Sequence, residues 1–355
     1  KGIDLLITCD TGISANKALN WAAQVGVDVI LTDHHTLPEQ LPTAFAIINP
    51  HFVPEDHAFF PLSGVGVAYL LTRMLAIEKG SGEEWEQNVL DLVALGTIAD
   101  VANLVKENRY MVRYGLDILR RYPRLAIQEL LATSGYSGTW LNEEDIGFTI
   151  APRLNALGRL GDANPLVEFL LTSDLSFARR MATELEGLNN QRKMLVKQVY
   201  QAALAQLEQD NEFSKKPLII LANPSWPAGV LGIVASHLVE TYGKPAILLS
   251  LDTQGYWKGS ARSIQGVDIT TLLKQSSDLL LSFGGHAMAA GLSLKKENLE
   301  KFKQIMNLNV AATFDIQKMQ PALTIDAYLP LKNVNEQFMR VLDSLSPFGA
   351  GNPSP

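Results

Sequence analysis

The sequence predicts an α/β fold: a parallel-sheet domain, a helical connector, a second and smaller α/β domain, and the beginning of a β-rich segment. Three observations carry this reading. Short apolar runs alternate with stretches of helical period in the first hundred or so residues and again after Lys215-Lys216-Pro217, the pattern of β-α-β units. From Arg109 to about Gln209 strand signals nearly vanish and amphipathic helices dominate. The length of 355 residues exceeds the roughly 100 to 200 of one domain and points to two or three.

Ile3 to Cys9 is an apolar run ending at Asp10-Thr11-Gly12, Ser14 to Val25 has helical period, and Val27 to Thr32 is a second apolar run. Two strands joined by a helix of about a dozen residues imply parallel pairing, in which functional groups collect beyond the carboxyl ends. Asp10 and Asp33 occupy those ends. Ala44 to Ile48 reads as a third strand closing at Asn49-Pro50-His51. Ser63 to Ile77 and Trp85 to Ile98 read as buried helices, with Asp100 where the second stops. In the connector, Leu175 to Leu188 continues through Gln191 to Leu207. The second α/β domain then runs as strand Leu218 to Ala222, helix Val230 to Tyr242, strands Ala246 to Ser250 and Lys258 to Ser263, and helix Ile269 to Leu281. After about Phe314 the alternating segment Ala322 to Leu329 begins something β-rich. The expected divisions are 1–115, 116–210, 211–312 and 313–355.

With 47% hydrophobic and 19% charged residues the chain can bury sizeable cores, which excludes the disordered and fibrous classes. Thirty basic against 37 acidic side chains give a formal net charge of −7. That balance argues against coating nucleic acid or anionic membrane by bulk charge, while leaving room for a local basic channel. Cys9 is the single cysteine, so neither an intrachain disulfide nor a thiolate zinc site is available, and a reducing compartment, the cytoplasm, is expected. No apolar run approaches the roughly 20 residues of a membrane helix, and nothing at the amino end reads as a signal peptide.

Asp33-His34-His35 follows a strand end one β-α-β unit after Asp10, so these acids should stand on neighbouring strands and can share a ligand. Carboxylates and imidazoles without thiols suit Mn²⁺ or Mg²⁺ better than structural zinc, manganese best. A pair of such ions can clamp a phosphoryl group and activate water, which is the chemistry of phosphoester hydrolysis. The competing reading makes the Asp residues turn formers and the imidazoles a hydrogen-bonded pair.

Asp10-Thr11-Gly12, Asp33-His34-His35 and Ala94-Leu95-Gly96-Thr97-Ile98-Ala99-Asp100 stand in the order and spacing of the DHH phosphoesterase superfamily, and within it the chain resembles the RecJ family essentially end to end. The resemblance also rests on Glu107-Asn108-Arg109, on Pro152 to Arg159, on Gly229 to Ser236, on Gly259 to Ser263, on Gly284-Gly285-His286 and on Pro347 to Pro353. It implies a DHH domain, a DHHA1 substrate domain and the beginning of an oligonucleotide-binding domain. It further implies a 5′-to-3′ exonuclease that hydrolyses phosphodiester bonds of single-stranded DNA in recombination and repair. Its cofactors would be two ions of Mn²⁺ or Mg²⁺, and its partners single-stranded DNA, a single-strand-binding protein and a helicase. Carried over by position, Asp10 bridges the ions, His34 and Asp100 complete one of them, and His35 faces the substrate phosphate. Asp33 either ligates directly or orients a neighbouring imidazole.

The resemblance places Ser260, Arg262, Gly285 and His286 at the substrate phosphates. His286 is expected after a Gly-Gly turn. The Gly229 to Ser236 stretch, a helix start rich in small residues, suits an anion or close packing on a sheet, the latter favoured from the segment alone. Arg153 and Arg159, with Asn155 between them, either grip strand phosphates or belong to a salt-bridged face. The resemblance departs at Pro227 and His237, where the family more often has His and Arg. The superfamily's first motif, an Asp-rich strand end upstream of Asp10, has no counterpart here. The chain is therefore expected to be an amino-terminally truncated fragment, impaired in catalysis, of an active parent.

Two alternatives are weaker. A relative acting on oligoribonucleotides, nucleoside bisphosphate or cyclic dinucleotides would not need the long connector or the Pro347 to Pro353 motif. A non-catalytic DNA-binding scaffold would not need Asp10, Asp33, His34, His35 and Asp100 together.

Overall fold

The structure, a computed structural model, describes residues 2–81, 85, 88–313 and 325–355. The chain divides into two units, one made of residues 1–158, 162–186 and 324–355 and the other of 159–161 and 187–323.

In the first unit β1 (Leu5–Ile7), α1 (Asn16–Gln24), β2 (Asp28–Thr32) and β3 (Ala46–Ile48) form the expected β-α-β pattern. The three strands pair in parallel in the order β1-β2-β3, with Leu6 opposite Val29 and Leu31 opposite Ile47. Leu19 and Ala22 of α1 pack on Val29 and Leu31, so the apolar face of the helix covers the sheet. Two side-chain bonds tie the strand ends together: Thr32 N–H donates to Thr8 Oγ1 at 3.2 Å, and Thr32 Oγ1 donates to the Thr8 carbonyl at 2.8 Å. All three carboxyl ends therefore open on one side.

Helices follow as α2 (Gly64–Glu78), α3 (Leu90–Ala99), α4 (Lys106–Arg121) and α5 (Leu125–Ser134). Ser63 caps α2 by accepting from the Gly66 N–H. Leu62, Val67, Val93 and Met111 form a core joining α2, α3 and α4. A short helix α6 (Glu143–Asp145) opens on a capping box between Asn142 and Asp145, and a π-helical turn (Ile146–Ile150) leads into α7 (Ala151–Leu160) and α8 (Pro165–Leu171). The periodicity predicted from Leu175 to Leu207 is one helix of 35 residues, α9 (Leu175–Gln209).

The second unit carries β4 (Ile219–Ala222), α10 (Ala228–Tyr242), β5 (Ala246–Leu251), β6 (Trp257–Arg262), α11 (Ile269–Lys274), β7 (Leu280–His286), β8 (Ala289–Leu294) and α12 (Leu299–Thr313). Its five-stranded sheet has the order β4-β5-β6-β8-β7, with β4 and β5 parallel and the rest antiparallel. One face packs against α10 and Val196, Val199, Ala203 and Leu207 of α9; the other packs against α11 and α12.

Three expectations are corrected. The helix Ile269 to Leu281 ends at Lys274, and Leu280 and Leu281 begin β7. Both an amphipathic helix and a half-buried strand accept Leu-Leu runs, and only pairing with β8 decides. Gly284 and Gly285 lie within β7, and the turn, Ala287-Met288, follows His286. Finally, among the described residues the end of the chain is not β-rich. Ala322 to Thr324 lie outside the described residues, 325–330 form no strand, and α13 (Glu336–Ser344) is an amphipathic helix capped by Asn335.

Candidate metal centre

Each parallel strand end delivers polar residues to one place. Asp10 stands three residues beyond β1, Asp33-His34-His35 directly follow β2, and Asn49 and His51 follow β3. Asp100 comes from the carboxyl end of α3. Asp10 holds a left-handed backbone with φ +61°, a conformation that Asp tolerates better than most residues. Its carboxylate lies against Gly64 at the start of α2, where any Cβ would collide with it. Glycine at that position is therefore a requirement of this close approach.

His34 Nε2 lies 3.0 Å from Asp10 Oδ1 and 3.6 Å from Asp100 Oδ2, so residues ninety positions apart converge on one imidazole. Asp10, His34 and His35 each offer a ligand atom within 4.8 Å of the others. Burial pushes the His34 pKa down, but the Asp10 hydrogen bond and the charges of Asp100 and Asp10 outweigh it and hold it above the usual histidine range. The His35 pKa is raised first by its Asp33 bond. Burial raises the Asp100 carboxyl, with the Asp10 charge adding to the rise and the His34 charge opposing it. Two acids and two imidazoles, all oxygen and nitrogen donors, thus gather at one place, and their mutual charges shift one another's titration. That donor set fits a hard-to-borderline divalent cation.

Asp33 supports the cluster and is itself 1% exposed. Its Oδ1 lies 2.7 Å from His35 Nδ1 and accepts the His34 N–H at 2.8 Å, while Oδ2 accepts the Ile13 N–H at 2.9 Å. Burial pushes its pKa up, yet these bonds prevail and hold it at about 2. Of the two roles left open by the sequence, the geometry is that of an orienting carboxylate: it fixes Nδ1 of His35. A carboxyl held from its ordinary 3.8 to about 2 contributes about 2 kcal/mol of stability at neutral pH. Because the folded value is depressed, the contribution is full above the unfolded pKa and fades as pH falls toward 2. Asp33→Asn should therefore lower the urea midpoint of chelator-treated protein at pH 7, and the gap to the wild type should narrow below about pH 4. A gap independent of pH would assign the stabilisation elsewhere.

Sequence reasoning passed over Asn49, His51 and Gly64. Asn49 Nδ2 donates to the His35 carbonyl at 2.9 Å, and His51 hydrogen-bonds the His34 backbone, so the third strand end props the backbone that carries the two imidazoles. The signal was present: Asn49-Pro50-His51 closes a parallel strand just as Asp33 does.

The residues expected at substrate divide between the units. In the first, Arg153 is 7% exposed, its Nε lies 2.5 Å from Glu186 Oε2 and its Nη1 donates to the Thr149 carbonyl at 2.6 Å. The salt-bridged reading therefore describes Arg153, whose guanidinium is committed internally; Asn155 is exposed. In the second unit Arg159 and Arg262 stand together. Burial lowers the pKa of both, and for Arg262 the charge of Arg159 adds to the effect. Arg159 donates to the Gly229 carbonyl at 3.1 Å, and Arg262 to Ser260 Oγ at 2.9 Å and to the Ala261 carbonyl at 2.7 Å. Among the described residues neither forms an ion pair. Gly232 lets α10 lie directly on Arg262 and Ser260, since a Cβ there would come within 2.6 Å of Arg262 Nη2 and 2.8 Å of Ser260 Oγ, and Gly229 does the same for the Arg159 carbonyl. Packing is thus the reason for the glycines of this helix start.

The strand register explains His286. Arg262 pairs with Ala289 and Ala289 with His286, which puts Arg262 and His286 in one row, on one face, two strands apart. The next row holds Ser260, Gly291 and Gly284, and both glycines border open space. Gly285 has the opposite parity and a φ of +145°, with any Cβ striking the β8 backbone, so its role is conformational. The result is a sheet face bearing the Arg262 guanidinium, the Ser260 hydroxyl and the His286 imidazole, open where Gly284 and Gly291 floor it and with Arg159 beside Arg262.

Comparison with known proteins agrees with this reading of the fold. Residues 3–97 match the DHH family, N-terminal domain, and residues 215–312 match the DHHA1 domain. The single-stranded-DNA-specific exonuclease RecJ of Bacillus subtilis is 38% identical over 356 residues, covering 100% of this chain and 44% of its own length. The crystal structure of RecJ in complex with Mn²⁺ from Thermus thermophilus superposes with a TM-score of 0.85 at 34% identity, over 99% of this chain and 51% of that one. A crystal structure of exonuclease RecJ bound to manganese gives a TM-score of 0.70 at 34% identity, over 89% of this chain and 77% of that one. The chain spans between 44% and 64% of the length of the curated RecJ relatives it matches. With both domain models in place and that degree of identity, the chain belongs to the RecJ family.

Proposed function

We propose that this chain forms the metal-dependent core of a single-stranded-DNA-specific exonuclease, releasing nucleotides from a 5′ end in recombination and repair. The observation that carries the reading is the convergence of the Asp10 and Asp100 carboxylates on His34 Nε2. Asp10, His34 and Asp100 would hold the ion, Mn²⁺ or Mg²⁺, and when bound it draws charge from a phosphodiester and makes water a competent nucleophile near neutral pH.

The protein's own groups do the rest. Asp33 locks the His35 ring through Nδ1, and the raised pKa keeps the imidazole protonated further toward neutral pH, which suits donation to an anionic phosphate oxygen. Arg159, Arg262, Ser260 and His286 supply cationic and neutral donors for the phosphates of a strand. Such contacts carry no base information, so sequence preference should be small. A local cationic face also reconciles the net charge of −7 with a polyanionic substrate. A single-strand-binding protein and a helicase are the partners this role implies, and a domain division near 115, 210 and 312 the one the motifs suggest.

The test is digestion of a long 5′-labelled single strand, the matched duplex and a dinucleotide with Mn²⁺, using this chain and one extended to its relatives' length. Release of mononucleotides from the single strand, abolished by chelator and faster in the longer chain, is expected. Preference for the dinucleotide would instead favour a small-substrate phosphodiesterase.

A further inference from the structure

The segment Leu345 to Asn352 lies more than two hundred positions from the metal ligands in sequence, yet it packs on the loop that follows Asp100. The Leu104 N–H donates to the Ala350 carbonyl at 2.6 Å, and Gly349 lies so close that a Cβ would come within 2.9 Å of the Leu104 side chain. Gly351, with φ +74°, sits over Asn103 and Val105, where a Cβ would approach both to 3.4 Å or less. Glycines at these two positions let the backbone of the segment lie directly on the loop.

Two buried or half-buried side chains hold the segment down. Glu143 is 8% exposed; its carboxylate accepts the Phe348 N–H at 2.6 Å and the Ser346 hydroxyl at 3.2 Å. Arg109 Nη2 donates to the Leu345 carbonyl at 2.6 Å. On the far side of the loop, Asn108, fully buried, donates to the Asn103 carbonyl at 3.1 Å and accepts the Ser63 N–H at 3.3 Å. Ser63 caps α2 next to Gly64 and therefore next to Asp10. Ser63 Oγ also pairs with Thr97 Oγ1 of α3 at 2.8 Å. One path of hydrogen bonds and backbone thus runs from Glu143 through Phe348 and Ala350 to Leu104, and on through Asn103, Asn108 and Ser63 to the loop beside Asp10.

The backbone shows what this path restrains. Val101, directly after Asp100, has φ +58°. A β-branched residue in the left-handed region is a strained outlier that persists only where its surroundings over-determine it. The Val101 and Ala102 amides return to the Ile98 and Thr97 carbonyls, turning the chain sharply away from α3, and the contacts at 103–105 secure the other end of that turn.

We propose that the segment Ser346–Asn352, anchored by Glu143, is a positioning element for the metal centre: it fixes the strained turn that aims Asp100 at His34. The inference rests on the metal reading above. Glu143 touches no ligand and acts through Phe348 and Leu104. The test is Mn²⁺ titration of the whole chain, followed through the electron paramagnetic resonance signal of the free ion. Glu143→Ala should weaken uptake by about 10-fold, the order seen when groups that orient ligands are removed. Glu143→Gln, which keeps an acceptor for the Phe348 N–H, should restore most of it. Gly349→Val, which pushes the segment off the Leu104 side chain, should reproduce the loss if Glu143→Ala fails to fold. Leu130→Ala, a truncation in the core of α5, controls for general destabilisation and should leave uptake unchanged. Normal Mn²⁺ affinity in folded Glu143→Ala and Gly349→Val, or an equal loss in Leu130→Ala, overturns the positioning role alone. Absence of uptake by the unaltered chain overturns the metal reading and this one together.

Discussion

His34→Ala should abolish measurable Mn²⁺ uptake and, in catalytically active protein, lower single-strand hydrolysis by more than about 100-fold, beyond the range for groups that merely orient a ligand. The reason lies in the geometry. His34 Nε2 is the atom on which Asp10 and Asp100 converge, at 3.0 and 3.6 Å. Without the imidazole, the Asp10 and Asp100 carboxylates lose the nitrogen donor on which both converge. The variant should fold, because the His34 backbone N–H still meets Asp33 and His51 still finds the His34 backbone. Circular dichroism would check the fold, calorimetry the Mn²⁺ uptake and gel assay the hydrolysis. Undiminished Mn²⁺ affinity in folded His34→Ala would remove the metal assignment.

Arg262→Ala should weaken single-stranded DNA binding by roughly 10- to 100-fold, the loss expected for one or two hydrogen bonds to a charged group. Its guanidinium has no ion-pair partner among the described residues, and Arg159 adds like charge beside it. An anion bound there would relieve that repulsion while leaving the bonds to Ser260 and Ala261 in place. The slope of log affinity against log salt should fall by about one, as one phosphate contact is lost, with no change in sequence preference. Arg262→Lys should recover only part of the affinity, because an ammonium lacks the planar fork. Arg153→Ala provides the contrast: it should destabilise the first unit by stranding Glu186, and leave the salt slope unchanged. Fluorescence anisotropy over a salt series measures both. Equal salt slopes for Arg262→Ala and wild type would place the phosphate contact elsewhere.

Much of the candidate site's geometry was legible in the sequence because it is built from strand ends. Alternation of apolar runs with a helix of about a dozen residues dictates parallel pairing, and parallel pairing puts Asp10, Asp33 and His51 on one side of one sheet. The same logic read α9 as continuous, since its apolar period carries through Gly187 without interruption. Where local pattern is ambiguous, the reading slipped. Leu280 and Leu281 fit a helix as well as a strand until β8 pairs with them, and His286 moved from a turn to a sheet row with them.

Short-range periodicity, then, determined by itself that this is an α/β chain whose acids and imidazoles gather at a sheet mouth. Tertiary structure alone decided the fate of side chains with identical chemistry. Arg153 turned inward to Glu186 while Arg159, six positions later, joined Arg262, a choice set by which partner each helix face meets. It also decided that Ser346 and Phe348 bond Glu143, roughly two hundred residues away, where the sequence suggested the opening of a β-rich domain. The physical reason is the range of the information: a period of two or of 3.6 residues specifies a face, whereas the group opposite that face is named only when distant segments close on each other.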